Sequence, residues 1–246
     1  GFSPFRMEYR AIAEQLKYCI PFYLANVLYT ISIKFDKIVI SPYITNEEFA
    51  YYSISFLSIP LLSNAFASIN NVTLPEITKK IQVADLEGVR KLYNNIVTKT
   101  TSLAFPALVY FLINSREIIV LLFTEQYAVS TNYYRIYTLT LLVSVTSYGL
   151  ILRASNKTRL IFILNALACL VSIGLGFIII PLFKLNGAII TACAAIALPG
   201  IFQLIAEMRI LKCGVSGFFP LKSIGLVLLV SAAASPLILL LRYSIS

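Results

Sequence analysis

Seven stretches of this sequence carry no charged residue: Tyr18 to Ile33, Phe49 to Pro75, Thr100 to Ser115, Ile136 to Leu152, Leu160 to Phe183, Leu185 to Ala206 and Ser223 to Leu241. A membrane-spanning helix needs about 20 predominantly apolar residues, with a range of roughly 17–25, so each run predicts one span. Strands of a soluble sheet would show alternating polarity and turn signals about every 8–12 residues, and neither pattern is present. In hydrocarbon a helix satisfies every backbone polar group within its own segment. The expected fold is therefore an all-α, polytopic membrane helix bundle with about seven transmembrane helices.

The composition points the same way: 59% of residues are hydrophobic and only 13% charged, with a mean hydropathy of +0.84. Typical soluble domains are about 45–50% apolar and about 25% charged. Prolines lie in or near the runs at Pro21, Pro60, Pro106, Pro181, Pro199 and Pro236. Membrane helices tolerate proline, so these serve either as hinges or as ordinary membrane-helix residues.

Basic residues in short loops are retained on the cytoplasmic side. With a cytoplasmic N-terminus and seven alternating spans, fourteen of the 20 lysines and arginines fall on that side, among them Arg10, Lys17, Lys79, Lys80, Arg90, Lys157, Arg159, Arg209 and Lys212. The net charge of +9 is explained by this topology. No basic stripe with interleaved stacking aromatics calls for nucleic acid, whereas basic cytoplasmic loops attract anionic lipid headgroups.

Histidine is absent, which removes histidine triads, H-E-x-x-H zinc sites and imidazole relays from consideration. Cys19, Cys169, Cys193 and Cys213 have no C-x-x-C spacing and predict neither a metal site nor a disulfide frame. No glycine-rich phosphate loop stands in the chain, so no cofactor and no ATP-driven engine is expected. Gly1 opens the sequence, with no signal-peptide pattern before the first run, and seven spans leave the C-terminus outside. The expectation is a piece of a longer chain.

Residues 1–17 mix charge and apolar positions at helical spacing and predict an interfacial connector. Ile77 to Asn95 reads as a cytoplasmic helical loop in which Asp85 caps a helix. Ser115 to Ser130 is the longest outer connection, with Ile118 to Phe123 at the interface. Tyr43, Tyr51, Tyr52, Tyr127, Tyr133 and Tyr134 are expected to form an aromatic belt at the outer face. The serines and asparagines from Ser53 to Asn71, and the small residues Gly174, Gly176, Gly187 and Ala188, read as helix-packing faces.

The sharpest chemical signal is Lys34, Asp36 and Lys37, which interrupt the first apolar run before it resumes at Ile38. Charge at membrane depth costs about 2.5–3.5 kcal/mol per residue on insertion scales and usually faces a bundle interior or a wet cavity. Lys34 and Lys37 share a helix face, while Asp36 lies well around from both. One reading is a cationic patch for phosphate or pyrophosphate with Asp36 pairing or tuning it; the other is snorkelling of the lysines to the outer interface.

The order of short motifs is informative as a series. Tyr18-Cys19-Ile20-Pro21 opens the first span, and Phe35-Asp36-Lys37-Ile38-Val39-Ile40-Ser41 closes it. There follow Glu48-Phe49-Ala50-Tyr51-Tyr52, Pro75-Glu76-Ile77, Leu121-Leu122-Phe123-Thr124-Glu125-Gln126-Tyr127, Ile180-Pro181-Leu182 and Asn186-Gly187-Ala188. The series resembles the C-terminal half of the polysaccharide exporter, or lipid-linked oligosaccharide flippase, family. Thr124 stands where that family usually has glycine.

The resemblance implies one lobe of a two-lobe transporter. Residues 18–209 would form a six-helix transmembrane lobe and residues 210–246 an accessory C-terminal transmembrane helix. It also implies a cell-membrane location, a lipid-linked glycan substrate held by cationic cavity residues such as Lys34 and Lys37, a missing N-terminal lobe as partner, and transport by alternating access. A multidrug or cation extruder of the same superfamily is the alternative, and a membrane-embedded glycan ligase a more distant one.

Overall fold

The computed structural model describes residues 9–57, 60–231 and 233, and these form an all-α membrane helix bundle with no strand among them. Most of the expected interfacial connector's first half and the end of the seventh run, Pro236 included, lie outside the described residues.

The first run becomes α1 (Tyr9–Ile40), with Pro21 inside it. A 3-10 turn and a capping box follow: Thr45 N–H donates to Glu48 Oε2 at 2.8 Å, and Glu48 N–H donates to Thr45 Oγ1 at 3.2 Å. This reciprocal pair starts α2 (Asn46–Ile54) by satisfying donors that a helix N-terminus leaves open. The second run, expected as a single span, is then interrupted. α2 ends at Ile54 and α3 (Pro60–Gln82) begins on a proline, whose missing N–H and fixed φ suit the first helical position.

α4 (Leu86–Ile113) starts where Asp85 Oδ1 accepts from Gly88 N–H at 2.8 Å, as the cap reading expects. Lys80 Nζ bonds the other oxygen at 2.8 Å, and that cation, with the Gly88 amide, holds the Asp85 carboxyl below the ordinary carboxylate range. α5 (Ser115–Phe123) is a short helix. Thr124 then adopts φ 111°, the region where a glycine would sit without strain, and Arg116 pairs with Glu125 beyond it.

The fourth run is also broken, into α6 (Thr131–Thr138), α7 (Leu141–Ser144) and α8 (Leu150–Ala154). Threonine hydroxyls compete for its carbonyls, with Thr140 Oγ1 on Tyr137 O and Thr146 Oγ1 on Val143 O, each at 2.7 Å. Gly149 takes φ 80° just before α8. The carbonyls freed by the break find partners on α4: Val145 O accepts from Thr100 Oγ1 at 2.9 Å and Thr146 O from the Tyr93 hydroxyl. Irregular backbone in an apolar bundle persists only when neighbours satisfy it in this way.

α9 (Thr158–Ile210) is a hairpin. Lys184 leaves helical geometry at φ 48° and ψ −123°, and the two arms, 158–183 and 185–210, run back along each other. The Gly187 backbone lies so close to Ile179 that an added Cβ would sit 2.5 Å from its carbonyl oxygen. This close approach fits the small-residue packing expected there. α10 (Val215–Phe218) and the apolar helix α11 (Leu221–Ser231) follow.

α1 packs along the α9 hairpin, while a second core joins α3, α4, α8 and α10 around Phe66, Tyr93, Ile151 and Phe218. Among the described residues three helices are long and apolar enough to cross a membrane: residues 12–43, α4 and α9. Many of their outward side chains are apolar, among them Leu170 and Phe177, the kind of surface a bilayer covers.

Candidate functional site

Helical spacing divides the charged trio of α1 between faces. Asp36 shares the buried face with Ala25, Ser32 and Ile40, and is itself 0% exposed; Lys34 lies on the exposed face, and Lys37 is half-buried between them. The trio does not converge: no ion pair among the described residues joins Asp36 to either lysine. Asp36 Oδ2 instead accepts a hydrogen bond from the Tyr52 hydroxyl, which fastens α2 to α1. Asp36 Oδ1 is buried with no protein partner. Lys37 Nζ lies over the Phe56 ring at 5.0 Å, a cation–π contact, and Phe56 stacks edge-on against both Tyr52 and Tyr137.

Tyr52 and Tyr134 depart from the expected aromatic belt. Both are 0% exposed, because α2 and α6 fold inward at the helix breaks and bring their tyrosines with them. Tyr43 remains exposed.

Two cavities, the first mostly apolar and the second mixed, adjoin this group. One, of about 160 Å³, is lined by Tyr29, Leu57, Phe66, Tyr137, Thr140 and Ser144, and so reaches both helix breaks. The other, of about 180 Å³, is lined by Asn26, Tyr29, Tyr148, Arg153, Asn165 and Gln203. Tyr29 borders both. At the second cavity Asn165 Nδ2 donates to Ala25 O at 3.1 Å and Gln203 Nε2 donates to Asn165 Oδ1 at 2.7 Å. Nearby, Glu207 is 0% exposed, and its Oε1 accepts from the N–H groups of Ile151 and Leu152 at 2.8 and 3.2 Å.

The sequence reading did not single out Asn165, Gln203 or Glu207. Each is a polar residue within or at the end of an apolar run, which is the available signal for intramembrane function or packing. Chemically, the interior offers hydroxyls, amides, one buried carboxylate oxygen of Asp36 and the Arg153 guanidinium. Among the described residues no three His, Cys, Asp or Glu side chains come together.

Residues 3–132, a span that includes α1 to α5, match a family described as polysaccharide biosynthesis protein. No curated protein and no solved structure matches the chain. The matched segment is more than half of the 246 residues and contains the charged trio together with its Tyr52 and Phe56 partners. This helical membrane protein belongs to the polysaccharide biosynthesis protein family.

Proposed function

We propose that the chain is one lobe of a flippase that moves lipid-linked oligosaccharide or polysaccharide precursors across the cell membrane by alternating access. It acts as a transporter and not as an enzyme. Residues 18–209 form its six-helix lobe, residues 210–246 supply an accessory span, and a second lobe outside this chain completes the cavity. Seven spans and a cytoplasmic N-terminus follow from the same reading, so Asp85→Cys and Lys157→Cys are labelled from the cytoplasmic side only.

The observation that carries the reading is Lys34, an exposed cation on the face of α1 turned away from its own lobe, one turn from Lys37. A second lobe facing α1 would enclose both lysines in an inter-lobe cavity, where phosphate groups of the substrate are attracted. The family match supports the polysaccharide connection, and the two broken helices give the lobe places to flex.

The test is flipping of a labelled lipid-linked oligosaccharide in vesicles by the full-length protein. Lys34→Ala with Lys37→Ala abolishes flipping while insertion is unchanged, and the arginine pair retains part of it because the charge survives with different shape and hydration. Near-normal flipping by the alanine pair is the outcome of snorkelling lysines and removes them from the site. The buried free oxygen of Asp36 favours a second reading, a cation extruder. In that case Asp36→Asn stops export of a cationic dye and the lysines are dispensable.

A further inference from the structure

The two arms of the α9 hairpin leave a groove of about 620 Å³ on their outer side, within the roughly 300–1,000 Å³ typical of ligand sites. Its walls are apolar, formed by Leu164 and Leu167 from the first arm and Phe202 and Ile205 from the second, and its mouth is basic, formed by Lys157 and Arg209. Lys157 immediately precedes the first arm and Arg209 ends the second, so both cations stand at the hairpin's open end, opposite the Lys184 turn. Leu167 lies ten positions along, about 15 Å at helical rise.

Both cations are exposed, and among the described residues neither takes part in an ion pair. Among the described residues no carboxylate lines the groove. Glu207, two residues before Arg209, is 0% exposed and bonded to the amides of Ile151 and Leu152 on the other side of the arm. A separate crevice at Asn156 and Thr158, the residues flanking Lys157, is lined by Glu14 together with Lys17 and Arg159. The groove therefore presents a cationic end with no local counter-charge, followed by an apolar trough open to the bilayer.

We propose that this groove is a binding site for an anionic membrane phospholipid, with the phosphate end between Lys157 and Arg209 and an acyl chain lying against Leu164, Leu167, Phe202 and Ile205. Any lipid tail satisfies the apolar walls; the unpaired cations select a headgroup of net negative charge. Basic pockets between transmembrane helices recognise anionic lipids on these grounds. The site lies on the outside of the α9 hairpin and does not depend on which substrate the chain moves.

The test uses the full chain in nanodiscs of mixed phosphatidylethanolamine and phosphatidylglycerol, released into native mass spectrometry, with retained lipids counted against the bilayer ratio. Phosphatidylglycerol is retained in excess, up to roughly thirty-fold when both basic residues act. Lys157→Gln with Arg209→Gln brings the ratio close to that of the bilayer, whereas Lys79→Gln with Lys212→Gln, two exposed charges outside the groove, leaves the excess intact. Absence of excess in the unaltered protein overturns the proposal. Equal loss in the control pair also overturns it, since attraction would then be diffuse. Displacement of phosphatidylglycerol by an equimolar isoprenyl diphosphate would assign the groove to a carrier lipid and overturn it as well.

Discussion

Gln203 donates from Nε2 to Asn165 Oδ1 at 2.7 Å although 38 positions separate them. Along one straight helix that separation would be about 57 Å at helical rise. The bond therefore records the fold-back at Lys184, and through Asn165 Nδ2 on Ala25 O it extends to α1.

A double-mutant cycle measures that link. Gln203→Leu and Asn165→Leu each lower stability in mixed micelles, and the coupling between them is expected near 0.6 kcal/mol and at most about 1.7, the span found for hydrogen bonds between membrane helices. Purely additive losses would show that the pair does not hold the arms together.

The turn itself makes opposite demands on two neighbouring positions. At Gly187 a Cβ would meet Ile179 O at 2.5 Å and Ile179 C at 2.9 Å, both backbone atoms that cannot rotate away. Gly187→Ala is expected to cost about 1–3 kcal/mol, as overpacking does. Lys184 occupies φ 48° and ψ −123°, a conformation that glycine adopts freely, and Lys184→Gly is expected to raise stability by about 1 kcal/mol, the low end of such strain. Thermal unfolding in detergent reads both, and a stable Gly187→Ala protein would mean that the arms lie farther apart.

Which parts of this fold are visible in the sequence follows from how local their causes are. The α4 start at Asp85 and the division between Phe183 and Leu185 rest on neighbouring residues, and both are legible. The breaks in the second and fourth runs are not, because hydrophobicity is the same whether a run continues or interrupts itself. The break in the fourth run is held by remote partners, Thr100 and Tyr93 on α4 and Glu207 on α9, and near the break in the second run Tyr51 O accepts from Ser130 Oγ at 2.8 Å. Pro60 does mark one break, but membrane helices hold so many prolines that it carries little weight alone. At the site, Lys34, Asp36 and Lys37 stand out as charges in an apolar run. Nothing in the sequence separates Tyr52, the partner of Asp36, from the tyrosines around it.

The last prediction concerns Glu207, whose Oε1 accepts from Ile151 and Leu152 N–H, the first-turn amides of α8. Those amides have no partner within so short a helix, and in apolar surroundings an unsatisfied donor costs about 1–3 kcal/mol. Their carboxyl partner is itself buried, and its Oε1 sits at the N-terminal end of α8, where an acceptor is favoured. Glu207→Ala therefore removes the only side chain among the described residues that is bonded to these two amides. Hydrogen exchange at Ile151 and Leu152 is expected to accelerate by roughly tenfold or more, while amides in the α9 arms are little changed. Glu207→Gln keeps one acceptor oxygen and is expected to exchange much more slowly than the alanine variant. Unchanged protection of the two amides in Glu207→Ala would show that α8 is held by its packing against α3 and α9, and would leave the Glu207 side chain without a structural role.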